Sequence, residues 1–175
     1  VTMVASAQNI FLVGLMGAGK STIGKRLAES MGKKFIDSDH EIERRTGVSI
    51  PTIFDIEGEE GFRTRETAVI DELTQQRGIV LATGGGAILR PENRSFLSAR
   101  GLVIYLNASV DQLHRRTRMD RNRPLLQTDD PRARLQSLFD ERDVLYREVA
   151  DLVTGTDERS VQQAIPELIH KIEQL

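Results

Sequence analysis

The 175-residue chain contains no cysteine and no tryptophan, and aromatic residues make up only 5% of it. The absence of cysteine excludes a disulfide framework, a thiolate nucleophile and a zinc site with cysteine ligands. A chain without cysteine fits a reducing compartment, and we expect a cytoplasmic protein.

An excess of charge of one sign is also missing, because 24 Lys and Arg residues balance 26 Asp and Glu residues to a net charge of −2. With so few aromatic residues, this balance argues against a nucleic-acid partner or an anionic membrane. No apolar run is long enough to span a membrane, and the first residues, VTMVASAQN, lack the basic segment of a signal peptide. We therefore expect one domain over residues 1–175 that holds any anionic ligand locally.

Short apolar runs alternate with helical patterns along the chain. The runs lie at residues 10–14, 35–36, 78–82, 101–106 and 151–154. Helical patterns cover about 20–31, 39–46, 59–76 and 131–149. Further helical patterns begin at residues 50 and 91, and one more lies at the end of the chain. This alternation is typical of a doubly wound α/β fold, in which helices cover both faces of a parallel sheet. Residues 118–131 interrupt it with two prolines and many charges, which indicates an exposed excursion.

The segment GLMGAGKST, residues 14–22, matches the phosphate-loop pattern Gly14-x-x-x-x-Gly19-Lys20-Ser21. It follows a predicted strand and opens a predicted helix, so that backbone N–H groups and the helix N-terminus would face phosphate oxygens. Lys20 would then bridge the outer phosphates, and the Ser21 hydroxyl would ligate Mg²⁺. A tight turn that needs glycine only for its dihedral angles would not explain the ordered Lys-Ser pair.

Two carboxylates, Asp37 and Asp39, follow the second predicted strand, where α/β sheets place their ligand crevice. One could face the water shell of a metal ion and the other a substrate hydroxyl. Alternatively, Asp39 only caps the helix that follows. The strand at 78–82 ends in Thr83 without an acidic residue, which makes Asp37 the main carboxylate available to a metal.

Charged residues also interrupt two apolar helix faces. Glu66 lies on the apolar stripe of the helix at 59–76, three residues after Arg63. The two could form a self-satisfied ion pair, or Glu66 could orient Arg63 toward a bound anion. Arg142 occupies an apolar position of the helix at 131–149, and no acidic residue of that helix shares its face. Because a buried guanidinium needs an anion, we favour a ligand slightly over a structural partner.

Two further stretches could contact ligands. The sequence TGGG at 83–86 ends a strand and leaves backbone N–H groups where a ligand can approach, although a tight turn would also use these glycines. Five arginines fall within residues 115–123. Such runs are mostly solvated faces, but in a phosphate-transfer enzyme a mobile arginine-bearing loop can close over the nucleotide.

The ordered set GLMGAGKST, DSD, GFR followed by Glu66, TGGG, RPLL and ER-x-x-LY resembles the shikimate kinase family over nearly the whole chain. The resemblance implies a P-loop kinase fold like that of the nucleoside monophosphate kinases, with a five-stranded parallel sheet, a lid at about 118–131 and a shikimate-binding helical region at about 39–66. It also implies transfer of the γ-phosphoryl group of ATP to the 3-hydroxyl of shikimate, on the chorismate route to aromatic amino acids. We expect a monomer.

The same resemblance assigns roles to individual residues. It implies that ATP is bound by Gly14, Gly17, Ala18, Gly19, Lys20, Ser21, Thr22, Arg116, Arg123 and Arg159. Shikimate would be bound by Asp39, Arg63, Glu66, Gly84, Gly85, Gly86 and Arg142. One Mg²⁺ per subunit would be held by Ser21 and Asp37, and the catalytic residues would be Lys20, Asp39 as the candidate base, and Arg123 of the lid.

Two other functions stay open from the residues alone. A kinase of the same fold could act on another small hydroxyl compound, such as gluconate or a nucleoside monophosphate. A regulatory module could bind ATP or RNA without catalysis through its arginine run, but the near-neutral charge, the scarce aromatic residues and the inward Arg142 count against it.

Overall fold

The computed structural model describes residues 7–119, 123–156 and 161–175. Five strands form one parallel sheet in the order β2-β3-β1-β4-β5. The strands are β1 (Ile10–Val13), β2 (Lys34–Asp37), β3 (Ile79–Ala82), β4 (Leu102–Asn107) and β5 (Leu152–Gly155). The α-helices of the described ranges are α1 (Lys20–Met31), α2 (Ser38–Thr46), α3 (Ile50–Leu73), α4 (Pro91–Arg100), α5 (Val110–Thr117), α6 (Pro131–Val149) and α7 (Val161–Glu173). The predicted doubly wound α/β fold is confirmed.

Helices cover both faces of the sheet, since every residue of β1 and β3 is buried although neighbouring side chains of a strand point to opposite faces. Helix α1 packs against β2, β3 and α7, while α4 and α6 pack against β4. None of the helices in the described ranges is both long and apolar enough to cross a membrane.

The strand register brings three predicted ligand-binding segments to one edge of the sheet. Asp37 of β2 lies opposite Ala82 of β3, and Ala82 lies opposite Leu12 of β1. Because the strands are parallel, the segments that follow β1, β2 and β3 all leave the sheet at the same level. The glycine loop, the two aspartates and the TGGG sequence therefore meet at the carboxyl edge of the sheet, where folds of this class bind ligands.

Helix α3 joins two helices that the sequence predicts separately. Ser49 caps its start by accepting a hydrogen bond from the Thr52 N–H, as predicted. Gly58 breaks the helix internally with φ 73° and ψ 176°, a conformation that only glycine adopts without strain, so the predicted helix at 59–76 follows a kink. It ends at Leu73, three residues before the predicted end.

The excursion at 118–131 contains little regular secondary structure. Its described part contains a 3₁₀ turn, Pro124–Leu126, in which Leu126 is buried. This turn contacts α3 and α6. Residues 120–122 lie outside the described ranges, and the prediction that the excursion acts as a lid stays a prediction.

Candidate active site

The loop between β1 and α1, residues 14–19, has a backbone that requires glycine. Gly14, Gly17 and Gly19 have φ values of 150°, 87° and 96°, and a side-chain carbon at Gly14 would lie 2.6 Å from the Leu106 carbonyl oxygen. Gly19 is the N-cap of α1 and supplies no side-chain acceptor, so the first N–H groups of the helix are open to a ligand. Anions bind readily at such a helix start.

Lys20 folds back over this loop. Its Nζ donates hydrogen bonds to the carbonyl oxygens of Gly14 and Leu15, at 2.5 and 3.0 Å. Burial and, to a smaller extent, the nearby Arg123 together lower the pKa of Lys20 to about 7, against the opposing effect of Asp39 and Asp37. A phosphate group in the loop would favour the charged form of Lys20 and would be attracted by it in return.

Ser21 and Asp37, which are predicted to hold a metal ion, are in contact with each other. The Ser21 hydroxyl donates to Asp37 Oδ2 at 2.6 Å. The other oxygen, Asp37 Oδ1, accepts from the N–H groups of Asp39 and His40 at 2.9 and 3.1 Å. Asp37 is thus the N-cap of α2, and the alternative that Asp39 caps this helix is wrong, because Asp39 already lies in the first turn.

Asp39 has one oxygen without a partner and one beside Arg123. Its Oδ1 is buried and accepts no hydrogen bond, while Oδ2 lies 4.0 Å from Arg123 Nη1. Burial and, to a smaller extent, the charge of Asp37 together raise the pKa of Asp39 to about 6, against the opposing effect of Arg123 and Lys20. A carboxyl group with a pKa near neutrality suits a general base.

Arg63 and Glu66 form a buried ion pair, with Arg63 Nη1 donating to Glu66 Oε1 at 2.8 Å. The pair is not self-satisfied, since Arg63 Nε and Glu66 Oε2 have no hydrogen-bond partner. Burial raises the pKa of Glu66 to about 7 despite the opposing charge of Arg63. Of the two predicted alternatives, this geometry favours Glu66 as the residue that orients Arg63.

Arg142 is the most conspicuous buried charge. The residue is 2% exposed, and its Nε and Nη1 have no hydrogen-bond partner. A side-chain carbon built on Gly85 would lie 3.6 Å from Arg142 Nη1, which places the guanidinium against the TGGG sequence. A buried guanidinium in this state needs an anion, as its position on the helix predicts.

These side chains line a pocket that we call the acceptor pocket. Its polar lining consists of Asp39, Arg63, Glu66, Gly84, Gly85, Gly86, Arg123 and Arg142. Its apolar lining consists of Met16, Ile50, Phe54, Phe62, Pro124 and Leu125. The pocket combines an apolar wall with a few convergent charged groups, as small-molecule sites do.

A second cavity, which we call the phosphate cavity, adjoins it. It is lined by Met16, Gly17, Gly19, Lys20, Ser21, Thr22, Asp37, Asp39, Thr83, Gly84, Gly85, Arg116 and Arg123. Five residues belong to both linings, and the charged ones among them are Asp39 and Arg123; the others are Met16, Gly84 and Gly85. A group transferred from a ligand in one cavity to a ligand in the other would therefore pass beside Asp39 and Arg123.

Two residues predicted to bind ATP remain, Arg116 and Arg159. Arg116 donates from Nη1 to the Gly17 carbonyl and from Nη2 to the Thr156 carbonyl, both at 2.9 Å. Arg116 thereby connects the glycine loop to Thr156, the residue that follows β5. Arg159 lies outside the described residues, and its predicted role stays a prediction.

Sequence reasoning did not single out the apolar wall. Ile50 and Phe54 lie four residues apart on α3, and the Phe54 ring lies 5.0 Å from that of Phe62. Apolar residues at this spacing are more often helix core, so the sequence carries no local signal that they face a ligand. The only signal was their position inside the predicted substrate region at 39–66.

A parallel sheet with a glycine loop after its first strand, next to a pocket for a small anionic molecule, defines a P-loop kinase that acts on a small molecule. Comparison with known proteins narrows this class. The family model for shikimate kinase matches residues 16–173. The chain belongs to the shikimate kinase family.

Named relatives agree over nearly the whole chain. The shikimate kinase of Chromobacterium violaceum is 60% identical over 166 residues, which cover 95% of this chain and 90% of that protein. The shikimate kinase of Halorhodospira halophila is 64% identical over 163 residues, which cover 91% and 92%. The predicted activity, a phosphotransferase that acts on a hydroxyl group of shikimate, is confirmed by this family membership.

Solved structures agree with the fold. Shikimate kinase from Acinetobacter baumannii in complex with shikimate has a TM-score of 0.95 and 50% identity, covering 97% of this chain and 95% of that chain. A gluconokinase from Sinorhizobium meliloti has a TM-score of 0.58 and only 17% identity, covering 97% and 93%, and so shares the fold alone.

Proposed function

We propose that the two cavities divide the reaction between them, with ATP in the phosphate cavity and shikimate in the acceptor pocket. The γ-phosphoryl group passes to the 3-hydroxyl of shikimate, giving shikimate 3-phosphate and ADP on the chorismate route. The observation that carries this proposal is that Asp39 and Arg123 line both cavities. They lie where the hydroxyl and the γ-phosphate would meet.

Shikimate is a six-membered carbon ring with one carboxylate and three hydroxyls, and the acceptor pocket offers a partner for each part. Arg142 and Arg63 bind the carboxylate, because guanidinium groups match its geometry. Glu66 orients Arg63 at 2.8 Å. The backbone of Gly84, Gly85 and Gly86 approaches the ligand closely, while Phe54 and Phe62 supply the apolar wall.

ATP is held through its phosphates by residues 14–22, with Lys20 on the outer phosphates. Arg116 borders the adenine, a role that the family resemblance also implies for Arg159. The Ser21 hydroxyl and the Asp37 carboxylate would hold one Mg²⁺, with water completing the contact to Asp37. In the described part of the chain no group of three His, Cys, Asp or Glu side chains could hold a metal ion by itself. The pair of Ser21 and Asp37 suits Mg²⁺, because this ion commonly uses one or two protein ligands together with water and phosphate oxygens.

Phosphoryl transfer passes through a loose transition state, so positioning and charge neutralisation should outweigh base catalysis. Mg²⁺, when bound, supplies positive charge to the phosphate oxygens. Lys20 and Arg123 supply further positive charge on the transferred group. Asp39 accepts the hydroxyl proton as the bond to phosphorus forms, for which its raised pKa of about 6 is suited.

We also propose that the enzyme acts as a cytoplasmic monomer without a nucleic-acid or membrane partner. The absence of cysteine and the net charge of −2 support this. Among the exposed large apolar residues of the described ranges, Ile56 lies on α3, Val144 on α6, and Met119 beyond the end of α5.

A coupled ADP-release assay with Mg-ATP tests the proposal by comparing shikimate, gluconate and AMP as acceptors. We expect turnover with shikimate alone. A Lys20→Met variant, purified in the same way, is the control for contaminating kinases and should be inactive. Turnover with gluconate or AMP in place of shikimate would overturn the substrate assignment. Salt-dependent RNA binding without turnover on any acceptor would favour a regulatory module instead.

A further inference from the structure

Tyr146 lies one helical turn beyond Arg142 on α6, and it does not line the acceptor pocket. The residue is 1% exposed. Its hydroxyl donates a hydrogen bond of 2.5 Å to the carbonyl oxygen of Gly85, 61 positions away in the sequence. This contact joins the helix that carries Arg142 to the back of the Gly84–Gly86 segment, which we call the glycine turn.

The peptide unit that Tyr146 holds is the one that carries the Gly86 N–H. A trans peptide is planar, and its C=O and N–H point in opposite directions. Fixing the Gly85 carbonyl toward Tyr146 therefore fixes the Gly86 N–H on the opposite side. Gly86 lines the acceptor pocket, and a side-chain carbon there would overlap the Arg63 guanidinium.

The other parts of this segment are anchored in a similar way. The Gly84 N–H donates to Ser38 Oγ at 3.1 Å, and Asn93 Nδ2 donates to the Ala87 carbonyl at 2.9 Å. Residues Gly85–Leu89 form a second 3₁₀ turn, which begins with a hydrogen bond from the Ala87 N–H to the Gly84 carbonyl. The N–H groups of Gly85 and Gly86 precede the first amide that donates within this turn, and Tyr146 holds the Gly85 carbonyl from outside the turn.

We infer that Tyr146 is a positioning residue, which holds the glycine turn through the Gly85 carbonyl so that its backbone N–H groups face the acceptor substrate. The inference rests on the proposed role of the glycine turn in binding shikimate. Tyr146 acts through Gly85 and touches no reacting atom.

The Tyr146 ring is itself fixed by packing. Its centroid lies 4.9 Å from that of Tyr105, whose hydroxyl donates to Asp143 Oδ1 at 2.7 Å. Asp143 is in turn paired with Arg147 at 3.0 Å. Burial raises the pKa of Tyr146, although Arg142 opposes this, so the phenol keeps its proton and stays a donor. The hydroxyls of the two packed tyrosines thus bond to different partners: Tyr146 to the glycine turn and Tyr105 to Asp143.

This pair supplies a matched test with two variants, Tyr146→Phe and Tyr105→Phe, each of which loses one hydroxyl and keeps the stacked rings. For Tyr146→Phe we expect the shikimate KM to rise roughly tenfold, the size of one hydrogen bond, with kcat and the ATP KM within about twofold of wild type. Tyr105→Phe should leave the shikimate KM within about twofold. An unchanged shikimate KM in Tyr146→Phe, or an equal rise in both variants, would overturn the inference.

A double-mutant cycle separates the glycine turn from Arg142, which also lies near the phenol. If Tyr146 acts through the turn, Tyr146→Phe should lower kcat/KM for shikimate by the same factor in wild type and in an Arg142→Lys background. Loss of the effect in the Arg142→Lys background would overturn the inference. A wild-type enzyme without shikimate-dependent turnover would instead overturn the proposed function. The coupled ADP-release assay tests that function separately.

Discussion

Asp39 and Glu66 present their unpartnered carboxylate oxygens to the same point of the backbone, the α-carbon of Gly84. A side-chain carbon on Gly84 would lie 2.6 Å from Asp39 Oδ1 and 3.0 Å from Glu66 Oε2. Both oxygens are buried without a hydrogen-bond partner. Two carboxyl groups that are buried this close together disfavour each other's charge, and the charge of Asp39 adds to burial in raising the pKa of Glu66.

This pair predicts that the unliganded protein loses stability as pH rises. The pKa of Glu66 is about 7 in the folded state against 4.5 in an unperturbed carboxyl, so between these values the folded state binds more protons than the unfolded state. The free energy of unfolding should therefore fall from about pH 4.5 to about pH 7, and Asp39 should add to this fall up to about pH 6. Glu66→Gln should flatten the slope of Tm against pH, whereas exposed Glu148→Gln should keep it. An equal slope in wild type and Glu66→Gln would contradict the raised pKa of Glu66.

Asp39→Asn should lower kcat by roughly a hundredfold, the ordinary contribution of a general base. The substitution keeps the shape of the side chain but removes its capacity to accept the hydroxyl proton. ATP affinity, measured by calorimetry, should stay at the wild-type value because the phosphates are held by other residues. An unchanged kcat would remove Asp39 from the mechanism.

Asp37 should show separate structural and metal-binding roles. Asn caps helices as well as Asp does, so Asp37→Asn should keep the thermal stability but require more Mg²⁺ for half-maximal activity. Asp37→Ala should show the same Mg²⁺ defect and also lose about 0.5–2 kcal/mol of stability, because the N–H groups of Asp39 and His40 lose their acceptor. Magnesium titrations and urea unfolding of both variants measure this. An unchanged Mg²⁺ requirement in both would leave Asp37 with the capping role alone.

Gly86→Ala should impair shikimate binding with little effect on stability. The new methyl group would occupy the place of the Arg63 guanidinium, and a flexible arginine can move aside. We expect a raised shikimate KM with an unchanged ATP KM. Gly155→Ala is the matched control, because its nearest atom would be 4.0 Å away, and its shikimate KM should not change. An equal shikimate KM in the two variants would show that shikimate binding does not need Arg63 in its observed position.

Local patterns in the sequence account for much of the site. The glycine loop could be predicted because its positions need positive φ values and because Lys20 and Ser21 follow in order. Arg142 could be predicted because one charge interrupts an apolar helix face. The fold followed from the alternation of buried strands and helices.

Other features needed the three-dimensional arrangement. The sequence DSD offers two possible caps, and only the geometry distinguishes Asp37 from Asp39. Phe54 has the spacing of an ordinary core residue, and nothing local indicates that it faces a ligand. The hydrogen bond from Tyr146 to Gly85 spans 61 positions, so no spacing in the sequence could suggest it.

The buried Arg142 should receive its anion from the substrate, and titration of shikimate into Arg142→Met by calorimetry is the decisive test. Met keeps much of the apolar bulk and removes a charge that has no partner on Nε or Nη1. Shikimate binding should be lost, ATP binding should be kept, and the melting temperature should be equal to or higher than that of wild type. Wild-type shikimate affinity together with a lowered melting temperature would mean that the protein itself supplies the partner, and would contradict the account.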